Sequence, residues 1–93
     1  MARVDLELVE SQRLIESLQE RLARQKELLQ GLELGRLFNF GMDGEGSQQV
    51  RRNYEEQIEH KRDIVRNLER MLEAEKQRLN RLKIQLQRQP GAR

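Results

Sequence analysis

The chain contains no cysteine and no tryptophan, and it has one proline, one histidine and one tyrosine. Without cysteine there can be no disulfide and no thiolate metal site. The single histidine, His60, falls at an outward-facing helical position, with no second histidine and no spaced carboxylate cluster to complete a zinc site. A lone exposed imidazole is ordinarily solvated. Aromatic residues make up only 3% of the 93 residues, and a compact globule of this length needs more apolar bulk to offset the entropy of ordering it. No apolar run approaches the roughly 20 residues of a membrane-spanning helix, and no signal-peptide core opens the sequence. Catalytic signatures are missing too. The stretch GMDGEG, residues 41–46, has Gly-x-x-Gly-x-Gly spacing, but no strand precedes it and no lysine follows at phosphate-loop spacing. DGEG is too short for a calcium loop. No catalytic residue, cofactor or metal is expected, and paired helices offer no water-excluding pocket for an enzyme. The expected setting is cytoplasmic.

What the chain does have is charge and regular leucine. Asp, Glu, Lys and Arg make up 37% of it, yet the net charge is only +2. That balance, with helical periodicity, is the composition of long helices that bury a seam and not of a disordered tail. The charge is divided along the chain. Residues 1–46 hold six basic and nine acidic residues, and residues 47–93 hold twelve and seven. An acidic first half and a basic second half attract one another weakly and in a salt-dependent way.

Two heptad runs account for the leucines. In the first, Val4, Leu8, Ser11, Ile15, Leu18, Leu22, Gln25, Leu29 and Leu32 alternate in steps of four and three, with Leu8 at position a and Ser11 at d. In the second, Tyr54, Ile58, Lys61, Val65, Leu68, Leu72, Glu75, Leu79, Leu82 and Leu86 do the same. Each run is long enough to predict a coiled coil. Gly31 and Gly35 mark the end of the first helix, because glycine caps a helix cheaply. Asn53 and Glu56 have capping-box spacing, Ser47 is an earlier candidate start, and Pro90-Gly91 stops the second helix. The predicted organisation is a helix over about 3–35, a glycine-rich loop over about 36–47, a helix over about 48–89 and a tail at 90–93.

The glycines at 41, 44 and 46 make that loop the tip of a hairpin, which brings both termini to one end. The fold class expected is all-α, an antiparallel two-helix coiled-coil hairpin that dimerises into a four-helix bundle. If a positions face d positions, paired residue numbers add to 83 or to 90. The second choice uses both seams nearly end to end, sets Leu8 against Leu82 and Leu22 against Leu68, and centres the turn on Glu45. The charged flanks do not discriminate. Glu33 with Arg62 agrees in sign, but Lys26 also approaches Arg62.

A two-helix seam needs only a and d, whereas this chain adds Leu14, Leu28, Ile64 and Met71 at position g. A wider stripe is the pattern of bundles, so these four residues are the candidate dimer or partner face. They could instead thicken the hairpin's own seam. Ser11 and Gln25 in one helix, and Lys61 and Glu75 in the other, interrupt d with polar groups. Such groups are either tolerated, as when a lysine stem snorkels, or they fix register and copy number. Replacing Gln25 by Leu is therefore expected to raise stability and loosen the choice of oligomer. Beside the loop, Phe38 and Phe40 either plug the hairpin end or form a docking knob.

The basic stretch KQRLNRLKIQLQR, residues 76–88, spreads its charge around the helix, and acids at Asp5, Glu7 and Glu10 neutralise it, so nucleic acid is not an expected partner. The stretches LQERLARQKELLQGLELGRLF and NLERMLEAEKQRL, set on either side of a glycine-containing turn, resemble the layout of the HR1 domains of Rho-GTPase effectors. That resemblance implies a small GTPase as partner. The Gly-Ala-Glu-Asn-like segment of many such domains is missing here, and no binding residue carries over. The main reading is a non-enzymatic interaction module for homo-oligomerisation or scaffolding, cut from a larger protein and working through itself or another helical protein. The GTPase-binding hairpin is the alternative, and a basic helix binding nucleic acid is the second.

Overall fold

The structure, a computed structural model, describes the backbone of residues 3–40 and 48–88, and the side chains of all of these except Asn39 and Phe40. Within them the chain is two helices, α1 (Arg3–Phe40) and α2 (Gln48–Arg88), with no strand. The helices pack against each other as an antiparallel hairpin. Their direction is visible in two hydrogen bonds. Ser11 reaches Glu75, and further along α1 Gln25 receives Lys61, which is earlier in α2. Partners that converge toward the connection can only lie on antiparallel helices.

The hairpin divides into two compact units, each drawn from both helices. One combines α1 up to Arg21 with α2 from Leu68, and the other runs from Leu22 to Asn67. In the first, Val4, Ser11, Ile15 and Leu18 are buried with Leu68, Leu72 and Leu82. Leu8, Leu79 and Leu86 are half-buried there. In the second, Leu22, Ile58 and Val65 are buried, and Leu29, Leu32 and Tyr54 are half-buried. Every one of these residues stands at a or d, the stripe that the four-three spacing turns inward.

The register differs from the one expected. Pairing Leu8 with Leu82 would have set Ser11 against Leu79 and Gln25 against Val65. In each unit the observed partner lies one turn earlier in α2. The Ser11 hydroxyl donates to Glu75 Oε1 at 2.9 Å, and the Lys61 ammonium donates to Gln25 Oε1 at 2.9 Å. The reason is the cost of burying polar groups without partners. The expected register would have faced Glu75 with Ile15 and Lys61 with Leu29. The observed one stacks d on d, so polar meets polar. By the same spacing a meets a, which sets Ile15 opposite Leu72 and Leu22 opposite Val65.

The end of α1 and the capping of α2 also differ. α1 does not stop at Gly31 or Gly35 but continues to Phe40. Neither glycine serves as the expected cap. Gly35 instead admits a ring, because a Cβ there would lie 3.2 Å from Tyr54 Cε1 and 3.3 Å from its hydroxyl oxygen. At Gly31 a Cβ would meet nothing within 4 Å. α2 begins at Gln48, upstream of Asn53, so Asn53 is an interior residue whose Oδ1 accepts from Gln49 Nε2 at 3.4 Å. Ser47 and the tail beyond Arg88 lie outside the described residues.

These two glycines give a matched pair of expected outcomes. Alanine is favoured over glycine inside a helix by about 1 kcal/mol, and a 1 kcal/mol change moves the melting temperature of a domain this size by roughly 4–8 °C. Gly31→Ala should deliver most of that gain. Gly35→Ala should fall well short of it, since the Tyr54 ring must shift to make room. Thermal melts followed by circular dichroism, at one protein concentration, compare the two. Equal gains would remove the packing role assigned to Gly35.

Candidate interaction surface

The polar layers are the most specific chemistry in the molecule. In the first unit Ser11 is fully buried, at 0% exposure, and the Glu75 side chain is 13% exposed. Glu75 Oε1 accepts from Ser11 and also from Arg78 Nη1 at 2.8 Å. Arg78 stands one turn on from Glu75, at position g, and closes the carboxylate from the solvent side. A charged acceptor with two donors makes shorter and stronger bonds than a neutral pair. In the second unit the Lys61 ammonium and the Gln25 amide oxygen form the corresponding layer. No buried side-chain nitrogen or oxygen among the described residues lacks a partner. Three further ion pairs are exposed and weak. Glu33 and Arg62 face each other across the second unit at 3.9 Å with both side chains about half exposed. Arg3 and Glu7 are 3.7 Å apart on α1, and Asp63 pairs with Arg66 on α2. Pairs of this kind contribute about 0–1 kcal/mol.

Position g, which borders the seam, holds several of the apolar side chains that meet water. In the first unit Leu14 is 43% exposed and Met71 51%. In the second, Leu28 is exposed and Ile64 is half-buried. The opposite flank, position e, is polar at every residue whose side chain is described. It carries Asp5, Gln12, Gln19, Glu69, Lys76 and Lys83 in the first, and Lys26, Glu33, Glu55 and Arg62 in the second. Each unit therefore has one flank that mixes apolar with charged side chains and one whose described side chains are all polar. Near the turn, Phe38 is 79% exposed, with Leu34 and Leu37 also exposed on the same helix. Phe38 does not pack into the seam, where Tyr54 and Gly35 meet instead. The Phe40 side chain lies outside the described residues.

No family model matches the chain, and no characterised protein or solved structure is significantly similar to it. Function has to be read from the surface itself.

A shallow depression of about 240 Å³ lies along the outer face of α2, lined by Glu73, Lys76, Gln77, Leu79, Asn80 and Lys83. A single helix forms it, with nothing converging from a second element, unlike the concave apolar sites that hold ligands. Among the described residues no three His, Cys, Asp or Glu side chains group to hold a metal ion, and no helix is long and apolar enough to cross a membrane.

Sequence reasoning noticed Ser11, Gln25, Lys61 and Glu75 as interruptions but did not join them. The joining signal was present. Ser11 and Gln25 are two heptads apart, and so are Lys61 and Glu75. Equal spacings let both interruptions coincide in one antiparallel alignment. The Arg78 clamp on Glu75 and the ring-on-glycine contact of Tyr54 carry no such signal, since both depend on which residues the register brings together.

Proposed function

We propose that the chain is a non-enzymatic coiled-coil module whose task is assembly, and that it self-associates by covering the g flank of its hairpin with another helical layer. The observation that supports this is the asymmetry of the two flanks: exposed leucine and methionine stand among the charges of one, whereas the described side chains of the other are all polar. Each such apolar side chain gains ~1.5–3 kcal/mol on full burial, and about half of that is still ungained at Leu14 and Met71. A four-helix arrangement collects it. The cytoplasmic setting belongs to the same proposal.

Sedimentation velocity over a concentration series tests the reading. The unmodified chain should associate. Leu14→Ser with Met71→Ser should keep its helicity by circular dichroism yet associate at least ~100-fold more weakly, the effect of losing about 3 kcal/mol of covered apolar surface. A chain that stays monomeric at every concentration would end the self-assembly reading. A scaffold for a different helical protein, including a small GTPase, would then be the class to test.

A further inference from the structure

The sequence around Leu14 says how a second copy sits on the first unit. Along the g positions of α1, Glu7, Leu14 and Arg21 follow one another at heptad spacing. All three belong to the same compact unit. Glu7 has Arg3 as a loose neighbour at 3.7 Å, and that arginine is 93% exposed, so the carboxylate is available on one side. Arg21 is exposed. The row thus carries a negative charge, an apolar knob and a positive charge at equal intervals.

Such a row is complementary to itself when reversed. An interface between identical copies related by a two-fold axis requires that if residue i meets residue j, then j also meets i. Laying α1 antiparallel on α1 of a second copy, with the axis through Leu14, sets each Glu7 opposite the other copy's Arg21. A parallel arrangement would instead stack like charges. The same rotation brings Met71 of α2 onto its own equivalent. Small residues flank both contacts, Ser17 on α1 and Ala74 on α2, so neither helix is held away by bulk. Arg78, the next g residue of α2, is paired with Glu75 at 2.8 Å, which offsets part of its charge beside the row.

We infer that this unit forms an isologous dimer in which α1 crosses α1 antiparallel, Leu14 packs on Leu14 at the two-fold axis, and two Glu7–Arg21 ion pairs fix the alignment. This rests on the assembly reading above and adds its partner, its direction and its register.

The test is a charge exchange with sedimentation velocity as readout, at low salt because such pairs are screened. Glu7→Arg and Arg21→Glu should each weaken the dimer roughly three- to tenfold, since each replaces two attractive pairs by two repulsive ones. Glu7→Arg combined with Arg21→Glu should restore it to within about twofold. These positions are on the surface, so circular dichroism should be unchanged in all three variants. A second measurement uses the absence of native cysteine. Leu14→Cys should form a disulfide-linked dimer on mild oxidation, while Glu20→Cys, on the outward face, should not. A chain that dimerises and is disrupted by Leu14→Ser with Met71→Ser, yet is indifferent to the charge exchange and uncrosslinked at position 14, would overturn this arrangement and leave the assembly reading standing. A chain that never dimerises would overturn both.

Discussion

Leu18→Ala should cost about 3 kcal/mol and lower the melting temperature by roughly 12–24 °C. Leu18 is 1% exposed and is among the largest fully buried side chains, together with Ile58 at the same exposure. It stands midway between Ser11 and Gln25 on α1. Removing its isopropyl group leaves a cavity between helices that have few other buried neighbours to collapse into it. An outward leucine serves as the control. Leu6 is half exposed, and Leu6→Ala should stay within about 0.5 kcal/mol of the parent. Both melts must be run at one concentration, because association raises apparent stability by mass action. A Leu18 variant that melts no earlier than the Leu6 variant would show that Leu18 does not carry the seam.

The second large effect is a reversal of sign. With Lys61 bonded to the Gln25 amide, Gln25→Leu alone no longer promises the gain in stability that the heptad pattern suggests. It deprives a half-buried ammonium of its acceptor and should cost about 1–2 kcal/mol. Lys61→Leu leaves only a neutral amide unpaired and should cost less. The double variant converts the layer into leucine on leucine and should exceed the parent by about 1–2 kcal/mol, as replacement of buried polar pairs by apolar ones often does. It should also lose its preference for a single assembled species, since the layer that distinguishes one alignment from its neighbours is gone. A double-mutant cycle on denaturant unfolding measures the first effect, and sedimentation velocity the second. Additive single effects would mean that the two side chains do not depend on each other.

The heptad seam was legible from spacing because only one face of each helix can be apolar when 37% of the chain is charged. The register was not legible from the same spacing. Hydrophobic a and d positions are nearly interchangeable, so a slip of one turn alters little apolar contact and the facing rule alone cannot select among alignments. Polar side chains discriminate far more sharply, and the four that interrupt the seams were the ones to align. The end of α1 lies beyond both glycines for a related reason. Glycine is a good cap but also a good site for close approach, and only the position of Tyr54 against Gly35 separates the two uses. The g-flank residues were recognisable in advance from their spacing. Their exposure follows from the width of the seam, which two helices cannot extend to cover them.

The start of α1 and the finish of α2 belong to the same compact unit, and this has a mechanical meaning. Tension applied at those two places loads the seam as a zipper, one rung after another, instead of sliding the helices past each other with every rung strained together. By the observed register the earliest rungs to feel it are Val4 with Leu82, Leu8 with Leu79 and then the serine–glutamate bond, so resistance to pulling is set locally there and not by the sum of all layers.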